Sequence, residues 1–256
     1  MSKNNVYWDV SFFNSTNTVV AKSLELSQNA TEFINLGNVN KQLSDENAAL
    51  RKQLTLLSEM KSDIPGYKPD SAKANRFDFT PAKVISSTND LTNNFITIDK
   101  GTDDGVRPGM GVISPQGIVG QVAYSNKKYS RVYSILHSQM QVSSEILNKK
   151  LREDKNVALG ISKWGGTNPR YLNLNNVDRF KPVFKGDSIV TSPQNPIFPP
   201  RIMIGKVSEI SNSSSEAFHT IKVRMSTDFS SLIYVYVVKN KLIESQTEVE
   251  TKVVTK

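Results

Sequence analysis

Leu36, Leu43, Leu50 and Leu57 recur at seven-residue intervals, in a stretch whose first sixty residues hold no proline and a single glycine, Gly37. Seven residues is the apolar period at which two helices wind about each other. From about Ser15 to Lys61 the chain is rich in Leu, Glu, Gln, Lys and Ala, and the spacing predicts one coiled-coil helix over residues 15–62. Val39 and Met60 fill intervening seam positions, Glu46 and Gln53 interrupt them, and Leu54 shifts part of the stripe to a neighbouring position. A helix of about 45 residues reaches on the order of 65 Å, more than a small β domain can cover. Each leucine left in water forgoes about 1.5–3 kcal/mol of burial. The expectation is therefore parallel self-association through Leu36, Val39, Leu43, Leu50 and Leu57, with Asn40 and Asn47 near the seam selecting the register. The competing expectation is an amphipathic helix packed on the β region of its own chain.

Beyond residue 64 the character of the chain changes. Most of its thirteen glycines and eleven prolines lie there, between short runs rich in Val, Ile, Tyr and Phe. That punctuation predicts antiparallel strands with tight turns, closed into barrels or sandwiches rather than βαβ units. Twelve such runs are legible, at 82–85, 95–99, 111–113, 118–122, 131–136, 141–147, 156–161, 171–174, 188–191, 202–210, 219–224 and 232–238. The fold class expected is mainly β: one long N-terminal helix followed by two small antiparallel β barrels. Residues 63–76 read as a linker around Ile64-Pro65-Gly66, and the polar stretch 241–256 as a disordered tail.

Little in the chain points to catalysis. It has no cysteine, which removes disulfides, thiolate metal sites and thiol nucleophiles together. His137 and His219, its two histidines, sit in strand-like runs without metal-ligand spacing. Gly186-Asp187-Ser188 comes nearest to a serine nucleophile turn, but Ile189 stands where such a turn needs glycine. Asp99, Asp103 and Asp104 beside Lys100-Gly101 lack the alternating ligand pattern of a calcium loop and read as an Asp-Gly turn. The formal net charge of +8 comes from lysines scattered as Lys127-Lys128, Lys149-Lys150 and Lys239–Lys241, without the aromatic interleaving of a nucleic-acid surface. No enzyme activity, metal, cofactor or nucleic-acid partner is expected. No run approaches the roughly 20 apolar residues of a membrane helix.

Specific residues then carry a resemblance. Asn94-Phe95-Ile96-Thr97-Ile98-Asp99-Lys100-Gly101 is followed by Asp104-Gly105-Val106-Arg107-Pro108-Gly109-Met110-Gly111-Val112, by Gly117-Ile118-Val119-Gly120-Gln121-Val122 and by Ser130-Arg131-Val132. Later come Lys185-Gly186-Asp187-Ser188-Ile189-Val190-Thr191-Ser192, Phe198-Pro199 and Ile204-Gly205-Lys206-Val207. In order, and preceded by the heptad helix, these resemble the extracytoplasmic region of the MreC family. Gly101, Gly105, Gly109, Gly117, Gly120, Gly186, Asp187 and Gly205 are expected to be architectural. Pro193 and Arg201 stand where that family usually has glycine, which puts the loop from Thr191 to Ile204 in question.

The resemblance implies a non-catalytic scaffold of the cell-elongation machinery, at the periplasmic face of the bacterial inner membrane. It would be a homodimer able to assemble further, with the penicillin-binding transpeptidase of elongation and MreD as partners in peptidoglycan synthesis. A membrane helix would precede the coiled coil, placing residues 1–14, with Val6, Tyr7, Trp8, Phe12 and Phe13, near the bilayer surface. By the same resemblance, a first barrel takes 77–128 and 215–240, and a second takes 129–214. The alternatives are a tandem split of the barrels and, for function, a periplasmic adaptor of an efflux or secretion system or a trypsin-like hydrolase.

Overall fold

A computed structural model of the chain describes residues 37, 39–57, 75–211 and 217–252. Leu36, the aromatic segment within 1–14, most of the 63–76 linker and the outer parts of the expected 15–62 helix lie outside the described residues. What is described of that helix is α1, residues 39–57.

Twelve strands follow. They are β1 (Phe77–Ser87), β2 (Asn93–Ile98), β3 (Gly111–Ile113), β4 (Ile118–Ser125), β5 (Ser130–His137), β6 (Gln141–Leu147), β7 (Ala158–Trp164), β8 (Tyr171–Asp178), β9 (Ser188–Thr191), β10 (Met203–Ser211), β11 (Phe218–Met225) and β12 (Tyr234–Asn240). A short helix α2 (Lys149–Glu153) lies between β6 and β7, and a terminal helix α3 (Ile243–Lys252) follows β12. Each run read from the sequence overlaps one of these strands, those at 95–99, 156–161, 202–210 and 232–238 overrunning an end by one or two residues.

The strands close into two six-stranded barrels, in the orders β1-β12-β3-β4-β5-β2 and β10-β11-β8-β7-β6-β9. All pairings are antiparallel. Closure leaves neither sheet an open edge. The chain leaves the first barrel after β5 and returns to it only as β12. The barrel limits thus differ from the expected ones at both junctions: Ser130–His137 belongs to the first barrel and Phe218–Met225 to the second. β5 is held in the first barrel by β2 and β4 together, Ile98 and Ser125 both facing Ser130.

Alternation of side chains builds the two cores. Along β7, Ala158, Gly160, Ser162 and Trp164 are buried and the residues between them are half exposed, the period-2 pattern of a strand with one face inward. Ile96, Ile98, Val112 and Val132 are fully buried in the first barrel, as are Leu172, Leu174, Ile189 and Val223 in the second. β12 departs from alternation: Val235, Tyr236, Val237 and Val238 are buried in succession, so both its faces are covered. Pro81 lies within β1, where over Phe77–Lys83 the strand pairs with β12 alone and β2 joins only from Val84. A residue without an N–H is tolerated where one side of a strand has no partner.

The expected disordered tail is corrected over 243–252, which form α3. Asn240 Oδ1 accepts from Leu242 N (3.0 Å), Gln246 N donates to Leu242 O (2.9 Å), and Arg76 Nη2 ties Gln246 Oε1 to the start of β1 (2.9 Å). Glu, Gln and Lys make up half of this segment and favour a helix, and the tethers fix its first turn.

Candidate interaction surfaces

α1 has two different faces. Ala48 is buried, and Arg51 and Lys52 reach the first barrel. The Arg51 guanidinium donates from Nη2 to Pro115 O at 3.1 Å and lies 5.3 Å from the centre of the buried Tyr236 ring. Burial pulls the Arg51 pKa down, against the field of Tyr236. Lys52 Nζ pairs with Asp78 Oδ1 at 2.6 Å, and Lys241 Nζ lies 3.5 Å from Asp78 Oδ2. Burial works to raise the Asp78 pKa, but the two ammonium groups outweigh it and hold the carboxyl below its ordinary value.

The seam residues point elsewhere. At 100° per residue, Val39, Leu43, Leu50 and Leu57 fall on the side of α1 opposite Ala48, and Leu54 lies between that side and Arg51. They are exposed by 43, 49, 55, 66 and 62% respectively. The helix does meet its own chain, as the competing expectation had it. It does so through a small and cationic face, not through the leucine stripe.

The signature glycines lie at turns and crossings. Gly105 closes the short turn Thr102–Asp104 with φ 82°, in the left-handed region. Asp104 accepts from Lys100 Nζ (2.8 Å) and Gly101 N (3.1 Å), and the Lys100 ammonium leads in holding its carboxyl below the usual range. The acidic loop is thus a self-bonded Asp-Gly turn. Among the described residues no group of three His, Cys, Asp or Glu is placed to hold a metal ion. At Gly120 a Cβ would overlap the carbonyl oxygen of Tyr133 across the β4–β5 ladder. Gly101, Gly117 and Gly205 likewise meet backbone carbonyls, while Gly109 and Gly186 have positive φ. Asp187 Oδ2 accepts from Phe184 N and from Asn148 Nδ2, both at 2.8 Å, fixing the turn before β9 against α2.

The loop from Thr191 to Ile204 is ordered by its own polar groups. Thr191 Oγ1 donates to Pro199 O at 2.6 Å and accepts from Ile202 N at 2.8 Å. Asn195 Oδ1 accepts from Ile197 N (2.9 Å) and Phe198 N (3.0 Å), and Asn240 Nδ2 reaches across from β12 to Pro196 O (2.6 Å). Pro193 is the second residue of a turn closed by Asn195 N and Ser192 O at 3.0 Å, a position proline favours. Arg201 adopts φ 65°, which suits the glycine that the resembling family usually has there.

The histidines are engaged in the fold. His137 is buried, its Nδ1 accepts from Gln139 N at 3.1 Å, and its ring packs edge-on to Phe95 and Tyr133. Burial first, and the Arg131 charge second, lower its pKa. His219 Nε2 lies 3.2 Å from Lys181 O.

Two barrels, the second inserted between β5 and β12 of the first and joined to it by a hydrogen-bonded loop, with a helix docked by one face, define a two-barrel module. Residues 84–239 match the family model of rod shape-determining protein MreC, barrel core. The chain belongs to the MreC family.

It is 26% identical over 219 residues to the cell shape-determining protein MreC of Listeria monocytogenes, covering 80% of this chain and 72% of that one. To the cell shape-determining protein MreC of Escherichia coli it is 30% identical over 202 residues, covering 75% of this chain and 53% of that one. A solved structure of MreC from Listeria monocytogenes superimposes with a TM-score of 0.58 at 25% identity, over 88% of this chain and 96% of that one. A chain of the solved complex between penicillin-binding protein PBP2 and MreC from Helicobacter pylori shares the fold, with a TM-score of 0.50 at 18% identity, over 65% of this chain and 99% of that one. Among the described residues no helix is long and apolar enough to cross a membrane.

Proposed function

We propose that this chain is a non-catalytic scaffold of the cell-elongation machinery, acting at the periplasmic face of the inner membrane. In this reading two copies pair through the outward face of α1 and hold their barrels for a penicillin-binding transpeptidase and MreD. The observation that carries it is the division of α1: Ala48, Arg51 and Lys52 are used on the first barrel, and the leucine stripe on the other side is left in water. A heptad stripe meets its burial requirement most simply in a second copy of itself. The family membership supports the cell-shape role, and the PBP2 complex of the Helicobacter pylori protein supports the class of partner.

The test is Leu43→Asp combined with Leu50→Asp. Sedimentation velocity is expected to shift the chain from dimer to monomer, with the far-ultraviolet β signature and thermal unfolding of the barrels retained. A double variant that sediments as the parent dimer overturns the reading.

A further inference from the structure

One end of the second barrel presents aromatic and basic side chains together. The segment from β8 to β9 reads Asp178-Arg179-Phe180-Lys181-Pro182-Val183-Phe184-Lys185-Gly186-Asp187. Phe180 is 85% exposed and Phe184 51%, and beside them Phe218 at the start of β11 is 52% exposed and Val157 before β7 is 49% exposed. Three neighbouring phenylalanines in water at one barrel end exceed the scattered single apolar residues of an ordinary surface.

The segment is held in place from below. Phe180 N donates to Asp178 Oδ1 (2.9 Å), Phe184 N to Asp187 Oδ2 (2.8 Å), and Asn148 Nδ2 to Pro182 O (2.8 Å). Lys181 reaches Asn156 Oδ1, and its carbonyl meets His219 Nε2. These bonds hold the backbone while the two phenylalanine rings stay exposed, with the Arg179 guanidinium 5.5 Å from the centre of the Phe180 ring. They also bring α2 alongside, with Lys149, Lys150 and Arg152, and Lys155 just beyond it, to join Arg179, Lys181 and Lys185. Among the described residues the acidic groups at this end are fewer: Asp178 and Asp187, which cap backbone N–H groups, Glu153, which pairs with Lys149 at 3.5 Å, and Asp154. The end therefore carries net positive charge.

We infer that this barrel end, Arg179 to Lys185 with α2 and Phe218, is a peripheral docking surface for an anionic lipid bilayer. The rings enter the interfacial zone while the basic groups meet headgroup phosphates. Lipid is the occupant because exposed aromatic rings stand among basic groups that outnumber the acidic ones, the combination an anionic interface takes up, with rings at the acyl boundary and ammonium and guanidinium groups on phosphates. The surface does not depend on α1 pairing, so it holds for a monomer as for a dimer.

The experiment is flotation of the purified chain with vesicles of phosphatidylcholine alone, and with vesicles in which about one third is phosphatidylglycerol. Binding is expected to the anionic vesicles, to weaken with salt, and to be near background on phosphatidylcholine. Phe180→Ser with Phe184→Ser is expected to weaken it about tenfold. Lys149→Glu with Lys150→Glu is expected to weaken it at least as much, since each basic group near an anionic surface is worth about fivefold. Lys127→Glu with Lys128→Glu, of equal charge change on the first barrel, is expected to leave it within about twofold. In Phe180→Trp, fluorescence quenching by brominated acyl chains places the side chain directly. No binding at low salt, equal loss from the Lys127 and Lys128 pair, or no quenching overturns the inference. So does a Phe180 and Phe184 variant that binds vesicles normally but loses a purified transpeptidase, which assigns the patch to protein instead.

Discussion

Phe198, on the β9–β10 loop of the second barrel, closes over the bare backbone of Gly111 on β3 of the first: a Cβ at Gly111 would lie 2.7 Å from the ring. Phe198 is 1% exposed and Gly111 is buried, so this contact is a sealed joint between the barrels. Thr227 Oγ1 donating to Ile118 O at 2.8 Å and Asn240 Nδ2 donating to Pro196 O at 2.6 Å add polar ties between the same two bodies. Phe198→Ala removes the ring and leaves a cavity, at a cost of about 3–5 kcal/mol. Urea unfolding is expected to show that loss; a cost under about 1 kcal/mol would mean that the joint is held by its hydrogen bonds instead.

Arg201 is expected to be improvable. Its φ of 65° places a long side chain in the left-handed region, at a cost of about 1–2 kcal/mol relative to an unstrained backbone. Glycine relieves that strain but adds chain entropy to the unfolded state, so the net gain for Arg201→Gly is about 0.5–1 kcal/mol. The variant also removes the charge that opposes the burial-driven rise of the Glu145 pKa, so that group should titrate higher still. Thermal unfolding measures the first effect, and carboxyl chemical shifts against pH the second.

Much of this architecture is written locally and some of it is not. The strand runs were legible because Val, Ile and Tyr alternate between glycine and proline punctuation, and α2 could have been found from Asn148, whose Oδ1 accepts from Leu151 N at 2.8 Å as an N-cap. Barrel membership was not legible, since whether Ser130–His137 closes on β2 and β4 or starts the next barrel depends on pairings distant in sequence. The docking of α1 was hidden for a different reason. Its contact face is Ala48 with two basic residues, which in sequence looks like the solvated side of a coiled coil, and the long aliphatic stems of Arg and Lys make such a face usable for packing.

The acid limb of stability should depend on Asp104. Its folded pKa lies below its unfolded value, so its contribution is fully present above the unfolded pKa and is lost as pH falls through the folded one. Asp104→Asn removes the pairing with Lys100 and weakens acceptance from Gly101 N, at a cost of about 1 kcal/mol near neutrality. Its unfolding free energy should then fall less steeply in acid than that of the parent. Parallel curves down to low pH would show that the turn is held by Gly101 and Gly105 alone.

Arg51 is expected to govern the direction in which the leucine stripe faces. Its guanidinium spans two strands' worth of structure, donating to Pro115 O in the β3–β4 turn while lying over Tyr236 on β12. A bond from a charged donor together with a cation–π contact is worth about 1–3 kcal/mol. Lys52 with Asp78 is half exposed on both sides and adds at most about 1 kcal/mol. Arg51→Ala should therefore free the helix from the barrel without unfolding the barrel and without touching the seam. Spin labels at Gln53 and Lys83 would report this as a broadened distance distribution. If the proposed pairing is correct, sedimentation would remain that of the parent. An unchanged narrow distribution would place the docking energy in Ala48 and its apolar surroundings, and a loss of pairing would mean that the barrel helps to build the seam.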